Sequence, residues 1–176
     1  MLDKKNDMLR IGLISDTHSY LDPKIYEVFK EVDEIWHAGD IGNTELTDTL
    51  KKFKPTYAVF GNIDGADLRA EFPLNLEMER EGFKILITHI GGYPGRYESK
   101  ARRKIEEFRP DIFICGHSHI LKVMRDPAYN NMVVMNPGAA GIHGFHKIKT
   151  VLRFTLNKKK IENMEVVELG KRGEIV

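Results

Sequence analysis

EIWHAGDIGNTELTDTLKKFKPTYAVFGNID, residues 34–64, holds in one stretch the pattern that decides the fold. An apolar run, EIWHA, breaks at Gly39-Asp40. A helix is expected next, from Glu45 to Phe53 with Thr44 as its cap, and Pro55 closes it. A second apolar run, TYAVF, then breaks at Gly61-Asn62. Strand, polar turn, helix, strand, polar turn is the order of a βαβ unit, and such units build parallel sheets.

The same order extends upstream. LRIGLIS (9–15) reads as a buried strand that stops at Asp16, and IYEVFKEV carries apolar residues at helical spacing from a start at Pro23 to Val32. Residues 1–8 read as a loose arm. Downstream, LNLEMER (74–80) and FKILITHI (83–90) form a hairpin about Glu81-Gly82, which opens a second sheet. ESKARRKIEEF (98–108) is an amphipathic helix ahead of the strand DIFIC (111–115). LKVMR, NMVVMN, TVLRFTL and KIENMEVVEL follow as strands, with KKK (158–160) as a solvated hairpin turn.

Composition bounds the class. A chain of 176 residues that is 41% hydrophobic can bury one core, so a single domain over 1–176 is expected. Twenty-seven basic residues against 26 acidic ones leave a net charge of +1, which gives no field for a long nucleic acid or an anionic membrane. No apolar run approaches the ~18 residues of a membrane span, and MLDKKNDML lacks an apolar signal core. The expected compartment is the cytoplasm. Cys115, the one cysteine, excludes an internal disulfide and sits in an apolar run as an inert core residue.

Five strand ends carry the chemistry: SDTH (15–18), AGDIGN (38–43), GNID (61–64), THIGG (88–92) and GHSH (116–119). Each presents Asp, Asn or His at the C-terminal edge of a strand, where open α/β sheets bind ligands. Oxygen and imidazole donors without thiolates suit ions such as Mn, Fe, Zn or Ni.

In their order, D-x-H, G-D, G-N, H and G-H-x-H, these motifs resemble those of the calcineurin-like metallophosphoesterases. NPGAAG (136–141) resembles the NPGS element of that family's small bacterial and archaeal phosphodiesterases, relatives of the retromer subunit of the same fold. The resemblance implies an α/β fold, a four-layer α/β/β/α sandwich of two mixed sheets flanked by helices with metals at one edge. It implies two divalent ions, Mn first, with Ni, Fe, Zn or Mg as alternatives. Asp16, His18, Asp40 and His119 would surround the first, and Asp40, Asn62, His89 and His117 the second, with Asp40, Asn62 and His89 about a metal-held hydroxide that acts as nucleophile. The implied activity is phosphoesterase, on small phosphodiesters before monoesters, and homo-oligomers are common among similar proteins. The alternative is a metal-stabilised docking scaffold, as the retromer relative is; the full ligand set argues for the enzyme.

The chain departs from the family pattern in places. Ile63 stands where larger members carry a proton-donating histidine, and it can transfer no proton. His143 and His146 in GIHGFHK are candidates for acid or substrate contact, against the simpler reading of two loop histidines in solvent. Ala139 replaces the serine of NPGS. Arg96 in GGYPGRY is either a phosphate clamp or an exposed loop arginine. His37 is expected to pack beside the site, and Asp64 to orient a metal histidine.

Overall fold

The computed structural model describes residues 8–175. Three parallel strands, β1 (Met8–Ile14), β2 (Glu34–His37) and β3 (Thr56–Ala58), lie side by side, joined through α1 (Ile25–Val28) and α2 (Thr44–Phe53). After α3 (Ala66–Glu71) come the hairpin β4 (Asn75–Arg80) and β5 (Phe83–Thr88), then a short ribbon of β6 (Gly92–Tyr93) and β7 (Arg96–Tyr97). Helix α4 (Ser99–Phe108) leads to β8 (Ile112–Ile114), β9 (Lys122–Asp126) and β10 (Met132–Asn136), and the chain closes with β11 (Ile148–Asn157) and β12 (Lys160–Lys171).

These strands make two mixed five-stranded sheets, ordered β12-β11-β1-β2-β3 and β4-β5-β8-β10-β9. Alternation along each strand explains the layering. Ile11 and Leu13 of β1 turn into the space between the sheets, where they meet Ile85, Ile87, Ile112 and Ile114 of the other sheet. Ile14 faces the opposite way, onto Ile25, Phe29, Leu46 and Leu50 of the helical layer. On the far side, Leu86, Phe113 and Val134 pack against Ala101 and Ile105 of α4. Each such fully buried side chain contributes about 1.5–3 kcal/mol. Gly12 belongs to this packing, because a Cβ there would stand 2.8 Å from the Phe29 ring.

Several local expectations are corrected. Helix α1 makes one turn and does not run to Val32: Phe29 leaves helical geometry at φ −101, ψ 14, and turns carry the buried Val32 onward. The cap of α2 is Asn43, whose Oδ1 accepts from Leu46 N at 3.0 Å, while Thr44 is the first helical residue. Asparagine is the stronger cap of the two. Met8 pairs with Asn157 as part of β1 and is not in a loose arm; residues 1–7 lie outside the described residues. The 158–160 stretch is the exposed hairpin turn that the sequence suggests, with Lys159 Nζ 2.8 Å from Asp111 Oδ2. Among the described residues, no helix is long and apolar enough to cross a membrane.

Both sheets run parallel strands toward one edge: β1, β2 and β3 in one, β5, β8 and β10 in the other. The polar turns read from the sequence all lie beyond the C-terminal ends of these strands.

Candidate metal centre

At the strand ends the backbone turns sharply. Asp16 (φ 53), His18 (φ 46), Asp40 (φ 53), His117 (φ 65) and His119 (φ 56) all occupy the left-handed region. That conformation costs a non-glycine residue roughly 1–3 kcal/mol, and such strain persists where the surroundings over-determine it. Here they do: Asp16 N donates to Gly39 O and His18 N to Asp40 O, both at 3.0 Å, and Gly116 N donates to His89 O at 2.9 Å. Two glycines make room. A Cβ on Gly61 would lie 2.1 Å from Asp40 Oδ1, and one on Gly116 would lie 2.1 Å from Ser15 Oγ.

The turns gather all seven side chains expected to hold metal. In one group the ligand atoms of Asp16, His18 and His119 lie within 4.8 Å of one another; in a second, those of Asp40, His89 and His117 do the same. Asp40 faces both. Its Oδ1 is 3.1 Å from His89 Nε2, and its Oδ2 is 3.6 Å from His18 Nε2. Asn62 Oδ1 joins the second group, 3.1 Å from His89 Nε2.

The residues fit divalent ions. Asp16 Oδ1 and His18 Nε2 are buried without a hydrogen-bond partner, although Asp16 Oδ1 stands only 3.0 Å from His119 Nε2. Leaving a buried polar atom unsatisfied costs about 1–3 kcal/mol, more for a charged one. A cation answers both orphans at once. The donor set of carboxylate, amide oxygen and imidazole suits a hard to borderline ion.

Hydrogen bonds select the tautomers. His89 Nδ1 is 2.8 Å from Ala38 O, which can only accept, so Nδ1 carries the proton and Nε2 presents a lone pair to the site. Burial alone would lower the His89 pKa, but the Asp40 hydrogen bond and the charges of Asp16 and Asp40 raise it. Burial pushes Asp40 up; its bond to His89 and the Ile63 N–H outweigh that and leave it lowered. For His18 burial wins over the two carboxylates and its pKa is lowered.

Supporting side chains sit one layer out. His37 accepts from Gly39 N at 3.1 Å through Nδ1, so Nε2–H donates to Thr17 Oγ1 at 2.9 Å, whose hydroxyl passes on to Ile41 O at 3.0 Å. Asp64 does not orient a histidine. Its carboxylate accepts the backbone N–H groups of Ile41, Gly42 and Gly61 at 2.7–3.1 Å and so ties the Asp40 loop to the Asn62 loop. Arg69 of α3, which sequence reasoning missed, donates to the carbonyls of Asp64, Gly61 and Asn62 and stacks 4.5 Å from the Phe60 ring centroid. Nothing in the spacing around Arg69 marks it, because its partners are backbone atoms.

His143 and His146 both reach the site. The exposed His143 ring lies 5.9 Å from that of His18, and the half-buried His146 ring 5.3 Å edge-on from that of His119, with Nε2 bonded to Gly141 O. Ile63 is exposed, and its N–H donates to Asp40 Oδ1 at 3.1 Å. Asn136 shapes the NPGAAG turn, donating to Gly116 O and accepting from Gly138 N, while Ala139 is buried. Arg96 lines a cavity bordered by His117. Cys115 is a core residue whose thiol burial pushes up to about 12.

The family model described as a calcineurin-like phosphoesterase superfamily domain matches residues 9–159. A probable metallophosphoesterase of Methanothermobacter thermautotrophicus is 31% identical over 136 residues, 73% of this chain and 76% of that protein. One from Methanocaldococcus jannaschii is 31% identical over 157 residues, 85% and 77% of the two chains. Among solved structures, a single mutant of Vps29 from Entamoeba histolytica shares the fold at TM-score 0.72 and 17% identity, over 91% of this chain and 99% of that one. With its motif residues gathered at one sheet edge and its sequence matched over most of its length, the chain belongs to the calcineurin-like phosphoesterase superfamily.

Proposed function

We propose that the protein is a binuclear metal-dependent phosphodiesterase acting on small phosphate esters. The observation that carries this reading is the Asp40 carboxylate, whose two oxygens face two separate groups of ligand atoms. Asp16, His18, Asp40 and His119 would hold one ion, and Asp40, Asn62, His89 and His117 the other. When bound, such a pair supplies Lewis acidity to phosphate oxygens and a hydroxide nucleophile at neutral pH, with Mn as the first candidate and Ni, Fe, Zn and Mg as alternatives.

The chain's own residues do the rest. His89 is fixed in the tautomer that offers Nε2, and neutral Asn62 adds an oxygen without adding charge. Two adjoining cavities border the second group. One of about 280 Å³ beside Asn62 and His89 is lined by Phe60, Leu74 and Ile90; another of about 260 Å³ borders His117. A phosphate held at this group would have two neighbouring cavities for its ester arms, which favours diesters over monoesters. With Ile63 unable to donate a proton, the exposed His143, whose ring lies 5.9 Å from that of His18, is the candidate donor to the leaving oxygen.

Metal-stripped protein should hydrolyse bis-p-nitrophenyl phosphate only after Mn²⁺ is added, faster than p-nitrophenyl phosphate, and Asp40→Asn should abolish this. Turnover of the monoester alone would remove the diester assignment. Two ions bound per chain with no turnover of either ester would leave a metal-stabilised docking module as the better reading.

A further inference from the structure

The cavity beside His117 is formed by the β6–β7 ribbon and the start of β9, and Tyr93, Arg96, Ser118 and Lys122 all line it. Lys122 Nζ lies 3.6 Å from the Tyr93 ring centroid, so the ammonium is held over the aromatic face. Among the described residues, no carboxylate pairs with either Arg96 or Lys122. By contrast, Arg10, Arg80, Arg102 and Lys104 are neutralised locally by Asp33, Glu34, Glu106 and Glu77 at 2.8–3.0 Å.

Glu98, the acid in the lining, is committed elsewhere. Its carboxylate caps α4, accepting from Lys100 N at 2.8 Å, Ala101 N at 3.1 Å and Ser99 Oγ at 2.9 Å. Ser118 Oγ accepts from Asn136 Nδ2 and from Ile120 N, which leaves its own proton to donate. Two unpaired cations and an unspent hydroxyl therefore share one cavity against a residue of the candidate metal centre.

We propose that this cavity is a second anion subsite, and that the substrate is a phosphate ester carrying a further phosphoryl group on the arm that passes His117. A terminal phosphate bears roughly −1.5 to −2 charge at pH 7, which matches the two cations, and the guanidinium fork suits its oxygens. The placement beside a reacting phosphate rests on the phosphodiesterase reading; the anion binding itself does not.

The test is titration calorimetry on Mn-loaded protein with adenosine 3′,5′-bisphosphate, adenosine 5′-monophosphate and adenosine 3′-monophosphate. The bisphosphate should bind at least tenfold tighter than either monophosphate, and the preference should shrink as salt rises. Lys122→Glu should bring the three within about twofold, and Lys122→Arg should retain the preference. Equal affinities in the unaltered protein, or a preference untouched by Lys122→Glu, overturns the subsite. Bis-p-nitrophenyl phosphate hydrolysis, run alongside, separates the two ideas. Preference without hydrolysis keeps the subsite and refutes the enzyme reading, and hydrolysis without preference does the reverse.

Discussion

His119 Nε2 stands 3.0 Å from Asp16 Oδ1, yet the two share no hydrogen bond. Asp16 spends its other oxygen instead, accepting from Ser15 Oγ at 2.6 Å and from His117 N at 3.1 Å. A buried carboxylate oxygen and an imidazole nitrogen that crowd together without bonding support the proposal that both are ligands of one ion.

Metal should therefore stabilise the fold. At a hundredfold excess over its dissociation constant an ion adds about 2.7 kcal/mol, which for a chain of this size is about 5–10 °C in Tm. A thermal melt of EDTA-stripped protein should rise by that amount on adding Mn²⁺. Asp16→Asn should lose most of the rise; an unchanged metal response would remove Asp16 from the ligand set.

Arg69 lines the cavity beside Asn62 and is expected to act mainly by holding the Asn62 loop. Its fork fixes the carbonyls of Gly61, Asn62 and Asp64, so Arg69→Ala frees the loop that carries the Asn62 side chain. Outer-layer partners of this kind are typically worth about 10–100-fold. The loss should fall on kcat and on affinity for the second ion, with KM little changed. Arg69→Lys should rescue little, since one ammonium cannot span three carbonyls. A loss confined to KM would make Arg69 a substrate contact instead.

His37 supplies a pH dependence of known sign. Burial holds its pKa down at about 4, against the raising effects of Asp64 and Asp16, whereas the unfolded chain titrates near 6.5. Between these values the unfolded state binds more protons, so this contribution is present above pH ~6.5 and is lost as pH falls toward 4. Its full size is on the order of 3 kcal/mol. Urea unfolding of metal-stripped protein at pH 7.5, 6 and 5 should show the decline. In His37→Gln the slope should be shallower, and an identical slope would assign the effect to other histidines.

Ile63→His should restore a proton donor at an exposed position whose backbone already contacts Asp40. General acid help is worth about 10²–10⁴-fold at best, and most where the leaving group is poor. The gain should appear with an alkyl phosphodiester and be small with p-nitrophenyl esters. A uniform gain on both classes would point to altered binding and away from proton transfer.

Much of the fold was legible because it is written in local periodicity. The β4–β5 hairpin followed from Glu81-Gly82, both of which take positive φ, at 48° and 79°. Helix α4 followed from an apolar stripe that buries Ala101 and Ile105. Where the local signal was thin the reading slipped. IYEVFKEV has helical spacing, but Ile25, Phe29 and Val32 are buried through one helical turn and the turns that follow it. The six residues of α3 and the β6–β7 ribbon carry no periodicity long enough to register.

The sequence by itself determined which polar side chains stand at the strand ends, because strand-end motifs bring their residue types with them: Asp16, His18, Asp40, Asn62, His89, His117 and His119. Only the tertiary structure decided how they are supported. Asp64 bonds backbone N–H groups and not a histidine, Arg69 pins the Asn62 loop, and Arg96 and Lys122 stand unpaired in one cavity. The physical reason is range. Periodicity and turn chemistry act over a few residues, whereas these contacts join Asp64 to residues 22 and 23 positions away and bring Arg96 and Lys122 together from separate strands.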